Sequence, residues 1–123
     1  MIYVIDDDEI MGECVARACT GHEVRQFTNA IEAMNFLAEA GPPDLIFLDI
    51  LLDGPDGFTF LNELQSYADT AVVPVVIVSS LDFAGRDLRS YGVVEALHKD
   101  TMRPEQIRVL AEKYDQSEPK NAR

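Results

Sequence analysis

Five times along this chain a short apolar run is followed by a stretch of helical periodicity, and that alternation constrains the fold more than any other feature. A helix between two strands carries the chain back to the same edge of the sheet, so successive strands run parallel, with helices on both faces. Strand three, 44 to 48, and strand four, 72 to 78, are continuous apolar runs that suit a sheet centre buried on both faces. Residues 23 to 27 alternate as Glu23, Val24, Arg25, Gln26, Phe27, which suits an edge. Ile2-Tyr3-Val4-Ile5 and residues 94 to 98 supply the first and fifth strands.

The helical patterns can be bounded by their caps. The first, about 9 to 20, places Ile10, Met11, Cys14, Val15 and Ala18 on one face, with Asp8 as N-cap and Gly21 as terminator. Asn29 with Glu32 reads as a capping box for the second, whose stripe of Ala30, Ala33, Met34 and Leu37 stops at Gly41-Pro42-Pro43. The third follows the turn Asp53-Gly54-Pro55-Asp56-Gly57 and turns Phe60, Leu61, Leu64 and Ala68 inward. A short fourth helix over 83 to 91 contains Gly85, and the fifth starts near Pro104 and buries Ile107, Leu110, Ala111 and Tyr114. Residues 1 to 114 thus make one domain, and 115 to 123 read as a frayed polar tail.

Length and charge exclude several roles. A chain of 123 residues suits one domain that buries about two-thirds of its unfolded surface. A formal net charge of -12 repels nucleic-acid phosphates and anionic bilayers. No stretch approaches the roughly 20 apolar residues of a membrane span, and a strand pattern begins at Ile2 with no leader, so a cytoplasmic location is expected. Cys14 and Cys19, five apart on one helix, point away from each other and read as reduced residues in or near the core. His22 and His98 form no ligand pair.

Chemistry concentrates where strands end. Asp6-Asp7-Asp8 follows the first strand, Asp49 the third, Ser79 the fourth and Lys99 the fifth. Parallel strands present their C-terminal ends along one edge, so these carboxylates, a hydroxyl and an ammonium converge. Crowded carboxylates repel, and a cation relieves the repulsion; oxygen-only donors that leave room for water and phosphate suit Mg²⁺. Asp8 is also explained as a helix cap, Ser79 as a turn hydroxyl and Lys99 as a solvated charge, but the four strand ends together describe phosphoryl chemistry, with Asp49 as nucleophile.

Over residues 1 to 114 the chain resembles the receiver domain of two-component response regulators. The matching motifs are Val4-Ile5-Asp6-Asp7, Leu48-Asp49 followed by Asp56-Gly57, Pro74-Val75-Val76-Ile77-Val78-Ser79, and Lys99. The resemblance implies a flavodoxin-like, doubly wound, five-stranded parallel sheet of order 2-1-3-4-5. It implies phosphorylation of Asp49 by a histidine kinase or histidine phosphotransfer protein, and signalling through a downstream protein, with room for a phosphorylation-dependent dimer. It also implies Mg²⁺ held by Asp7, Asp49 and the backbone carbonyl of Leu51, with Asp6 acting mainly through water. Ser79 corresponds to the switch hydroxyl and Lys99 to the phosphate-pairing lysine. Mg²⁺-dependent self-phosphorylation from small phosphodonors and slow self-dephosphorylation follow, without conventional enzyme activity.

Three positions depart from the family pattern. Asp53 stands where the loop after the phosphoacceptor usually has proline, Ala96 replaces the aromatic switch residue, and Asp100 replaces the proline after the lysine. Without proline a cis bond costs about 3–4 kcal/mol, so a trans Lys99–Asp100 bond is expected. Two alternatives compete: a haloacid-dehalogenase-like phosphatase, from Asp6-x-Asp8 with a later Ser and Lys, and the N-terminal part of a DNA-binding response regulator.

Overall fold

The computed structural model describes residues 1–52, 56–83 and 86–115. In chain order its elements are β1 (Ile2–Ile5), α1 (Glu9–Ala18), β2 (Val24–Phe27), α2 (Ala30–Ala40), β3 (Leu45–Leu48), α3 (Gly57–Gln65), α4 (Ala68–Ala71), β4 (Val75–Ser79), a 3₁₀ turn (Arg89–Tyr91), β5 (Val93–His98) and α5 (Pro104–Tyr114). The five strands form one parallel sheet in the order β2-β1-β3-β4-β5, as expected. The turn at 53–55, Gly85 of the expected fourth helix and the tail from 116 lie outside the described residues.

Successive side chains of a strand point to opposite faces, so each central strand feeds two cores. Tyr3, Ile5, Ile46, Leu48, Val75 and Ile77 pack with Ala30 and Ala33 of α2 and Phe60, Leu61 and Leu64 of α3. On the other face Ile2, Val4, Leu45, Phe47, Val76 and Val78 pack with Val15 of α1 and with Ile107 and Ala111 of α5. Each valine, leucine, isoleucine or phenylalanine among these contributes about 1.5–3 kcal/mol when fully buried. Both central strands are buried throughout, while β2 exposes Arg25 and Gln26 at the edge.

Asp8 caps α1 as the sequence suggests, and at α2 the Asn29 half of the expected capping box is present. Asp8 Oδ1 accepts from the N–H groups of Ile10 and Met11, and Asn29 Oδ1 accepts from Glu32 N–H at 2.9 Å. At α5, Pro104 occupies the first turn and Gln106 Oε1 accepts from Arg103 N–H at 2.7 Å.

Several local expectations are corrected. The buried face of α1 runs through Gly12 and Val15 to Cys19, whereas Ile10 is 75 % exposed and Cys14 is also exposed. Gly12 lies on that buried face, where a Cβ would come 3.0 Å from Gln26 Nε2 and 3.8 Å from Val4 Cγ1 and Asp6 Cβ, so the helix rests on the sheet at a residue a hydrophobicity pattern passes over. Burial pushes the Cys19 thiol up to about 12, with the Asp115 charge adding to it. The third helix stops at Gln65, so Ala68 lies exposed in the separate turn α4. Strand β4 starts at Val75 rather than 72, and Val72, which ends α4, is 79 % exposed.

The expected helix over 83 to 91 is also absent among the described residues: Phe83 and 86–88 are irregular, and only Arg89–Tyr91 coil. Asp115, read as the start of the tail, is instead buried. Its carboxylate accepts from the Met1 amino group at 3.3 Å and meets His22 Nδ1 at 2.9 Å. No helix among the described residues is long and apolar enough to cross a membrane.

Candidate functional site

Each expected site residue stands at or just past the C-terminal end of a strand, and the ladder still fixes most of their backbones. Asp6 N–H donates to Phe27 O at 3.0 Å, Asp49 N–H to Ile5 O at 2.9 Å, and Lys99 N–H to Ser79 O at 2.9 Å. Strands β2, β1, β3, β4 and β5 thereby place their ends along one edge of the sheet.

Side chains complete the convergence. One carboxylate oxygen from each of Asp6, Asp7 and Asp49 lies within 4.8 Å of the others. Lys99 Nζ reaches both buried members, at 3.0 Å from Asp6 Oδ2 and 3.0 Å from Asp49 Oδ2. Asp6 and Asp49 are each only 4 % exposed, whereas Asp7 is open to solvent. Three carboxylates face one ammonium, so the cluster keeps an excess of negative charge.

Burial and the neighbouring charges both act on Asp6 and Lys99. Burial raises the Asp6 pKa, and Asp49 adds to the rise, while the Asp8 N–H at 2.9 Å and Lys99 offset part of it. Burial alone would lower Lys99, but its bonds to Asp49 and Asp6 outweigh this and hold the ammonium above its ordinary value. An oxygen-only set of three carboxylates fits a hard divalent cation and offers nothing to a soft one.

Ser79 is fully buried, and its Oγ accepts from Leu81 N–H at 3.2 Å. Leu51 N–H donates to Asp49 Oδ1 at 3.1 Å, which orients the carboxylate from the opposite side to Lys99. The Leu51 and Leu81 side chains are 49 % and 45 % exposed. Asp8 stays outside the three-carboxylate cluster and caps α1. Among the described residues no peptide bond is cis, so Asp100 follows Lys99 through a trans bond, as expected.

One residue of the site carries no chemistry and enters the sequence only as part of a turn and of the Asp56-Gly57 motif. Gly57, the first residue of α3, lies so close to the chain after β3 that a Cβ would come 2.7 Å from Ile50 Cα and 2.8 Å from Asp49 O. Only glycine lets the start of α3 close on Asp49, and Asp56 holds that start by accepting from Thr59 N–H at 2.9 Å. The available signal was the Asp-Gly pair itself, an N-cap followed by a residue with no side chain.

Comparison with known proteins agrees with this geometry. The family model described as the response regulator receiver domain matches residues 2–112. The transcriptional regulator RpaA of Synechocystis sp. is 35 % identical over 82 residues, covering 65 % of this chain and 34 % of that protein. Response regulator PleD of Caulobacter vibrioides is 34 % identical over 86 residues, covering 68 % of this chain and 19 % of that protein. The matches thus span about a third or less of these relatives. Among solved structures, the receiver domain of NtrX from Brucella abortus superposes with a TM-score of 0.80 at 26 % identity, covering 96 % of this chain and 100 % of that one.

Proposed function

This chain belongs to the response regulator receiver domain family, and on that premise we propose that it accepts a phosphoryl group on Asp49 from a histidine kinase or histidine phosphotransfer protein. The observation that carries the proposal is the grip on Asp49: Lys99 on Oδ2, Leu51 N–H on Oδ1, and two further carboxylates alongside.

Asp49 is held as a nucleophile. In the transfer, one of its carboxylate oxygens forms a bond to phosphorus as the donor's N–P bond breaks, and the electron pair leaves with the donor imidazole. Lys99 stands where charge on the phosphoryl oxygens needs a cation, and releasing Asp6 would free a donor for it. The Ser79 hydroxyl, now holding Leu81 N–H, is the neutral donor at the neighbouring strand end. Asp7 and Asp49, with the Leu51 carbonyl, would hold Mg²⁺, with Asp6 acting through water; the ion supplies Lewis-acid stabilisation of phosphoryl charge. Burial of Asp6 and Asp49 keeps their field strong by limiting water.

Signalling then passes to a protein partner. An acidic surface at net charge -12 supports contacts with proteins over direct contacts with nucleic acid. Nothing in the geometry or the relatives favours the phosphatase alternative.

Intact-mass measurement after incubation with Mg²⁺ and acetyl phosphate tests the assignment. One added phosphoryl group is expected, absent in Asp49→Ala. Label retained by Asp49→Ala and lost from Asp6→Ala would overturn it. Phosphotransfer profiling against histidine kinases then identifies the donor.

A further inference from the structure

At the opposite edge of the sheet from the acidic crevice, α2 and α3 leave a groove of about 430 Å³ between their C-terminal halves. Its floor is apolar, from Phe60 and Leu64, and half-buried Met34 and Leu37 form one wall. Tyr67 stands at the end of the groove, 58 % exposed, where the chain breaks between α3 and α4. The volume falls in the range of specific binding pockets, about 300–1,000 Å³.

Charge around this groove has one sign. Glu63 and Asp69 line it, and none of the described residues lining it is Lys, Arg or His. Helix C-termini carry partial negative charge and are ordinarily offset by a basic residue in the last turn. Neither α2 nor α3 has one. Two helix ends that carry no basic residue, one of them with Thr70 Oγ1 donating to Leu64 O at 2.6 Å, and two carboxylates therefore surround an apolar floor, and whatever fills it should bring positive charge on both sides of an apolar face.

We propose that the α2–α3 groove is a docking site for a basic amphipathic helix of a protein partner, with apolar anchors seated on Leu64 and Leu37 and flanking Lys or Arg residues meeting Glu63, Asp69 and the α2 C-terminus. A third helix laid between two others presents anchors at i, i+3, i+4 and i+7, which suits a groove bounded by two helices. Tyr67 is the aromatic contact at its end. The groove and the crevice occupy opposite edges, so this partner can stay bound while Asp49 is engaged.

Amide NMR on the full chain tests the site, with a synthetic helical peptide of leucines at that spacing and lysines elsewhere as probe. Saturable shifts confined to residues 34–41 and 60–70 are expected, with affinity lowered at least about tenfold in Glu63→Lys with Asp69→Lys and in Tyr67→Ala. A scrambled peptide of the same composition should bind at least about tenfold more weakly. Equal binding of the scrambled peptide, shifts centred on residues 6–8 and 49, or unchanged affinity in both variants would overturn the proposal. So would displacement of the peptide by hexylamine at comparable concentration, which would mark a small-amine site. Self-association that shields the same residues would assign the groove to a second copy.

Discussion

Lys99 Nζ lies 3.0 Å from Asp49 Oδ2, joining two residues fifty positions apart whose backbones are fixed by different strands. The same ammonium holds Asp6, so it already does part of a cation's work in the cluster. An entering divalent ion must compete with it. Thermal stability should rise with Mg²⁺ at constant ionic strength, by about 1.4 kcal/mol at ten times the dissociation constant. Lys99→Met should bind Mg²⁺ more tightly, by roughly three- to tenfold, since it removes the competing charge. Calorimetric titration of both proteins checks this, and weaker binding by the variant would contradict it.

Asp6 gives a pH dependence with a definite sign. Its folded-state pKa lies above the ordinary 3.8, so folding takes up a proton there, and the ionised form is a cost at neutral pH without a divalent cation. Asp6→Asn keeps an acceptor for Asp8 N–H and removes the charge. In cation-free buffer the variant should be the more stable of the two at pH 7, with a higher melting temperature. That advantage should disappear as pH falls below 3.8, where the carboxyl is neutral in both states. Melting curves across this range, with and without Mg²⁺, measure it.

How much of this was legible in the sequence depends on what each feature rests on. Strand order and the converging ends follow from apolar runs and the residues just after them, and both signals are local. The buried face of α1 includes Gly12, which carries no hydrophobic signal, and a hydrophobicity pattern credits the exposed Ile10 instead. The start of β4 at Val75 and not at Val72 is hidden in the sequence, because valines look alike on either side of Pro74. The partnership of Asp115 with His22 left no trace, since 93 residues separate them.

Gly57 makes a steric prediction. Gly57→Ala places a methyl group against backbone that cannot yield without moving Asp49, so phosphorylation by acetyl phosphate should slow at least about tenfold, with about 1–3 kcal/mol of lost stability. Chevron analysis and intact-mass time courses separate the two effects. A variant phosphorylated at the parental rate would show that the contact relaxes elsewhere.

Leu51 and Leu81 bear on the lifetime of the acyl phosphate. Neither side chain can orient a water by hydrogen bonding, and the two follow Asp49 and Ser79 at the same interval of two residues, each with its N–H on that residue's side chain. Self-dephosphorylation should be slow, and Leu51→Asn with Leu81→Glu should accelerate it several-fold. Decay of phosphorylated protein after removal of the donor, followed by mass, gives both rates.

The ladder bonds of Asp6, Asp49 and Lys99, each one residue beyond its strand, make strand alignment and site chemistry a single specification. Were β3 to slide by one position against β1, every side chain on it would change faces, and Leu48 or Ile50 would stand at the mouth in place of the acid. The apolar cores on the two faces would then be wrong at the same moment as the crevice. A misaligned sheet is thus penalised by its packing before its chemistry is ever tried, and the molecule proofreads its own reactive centre in the act of folding.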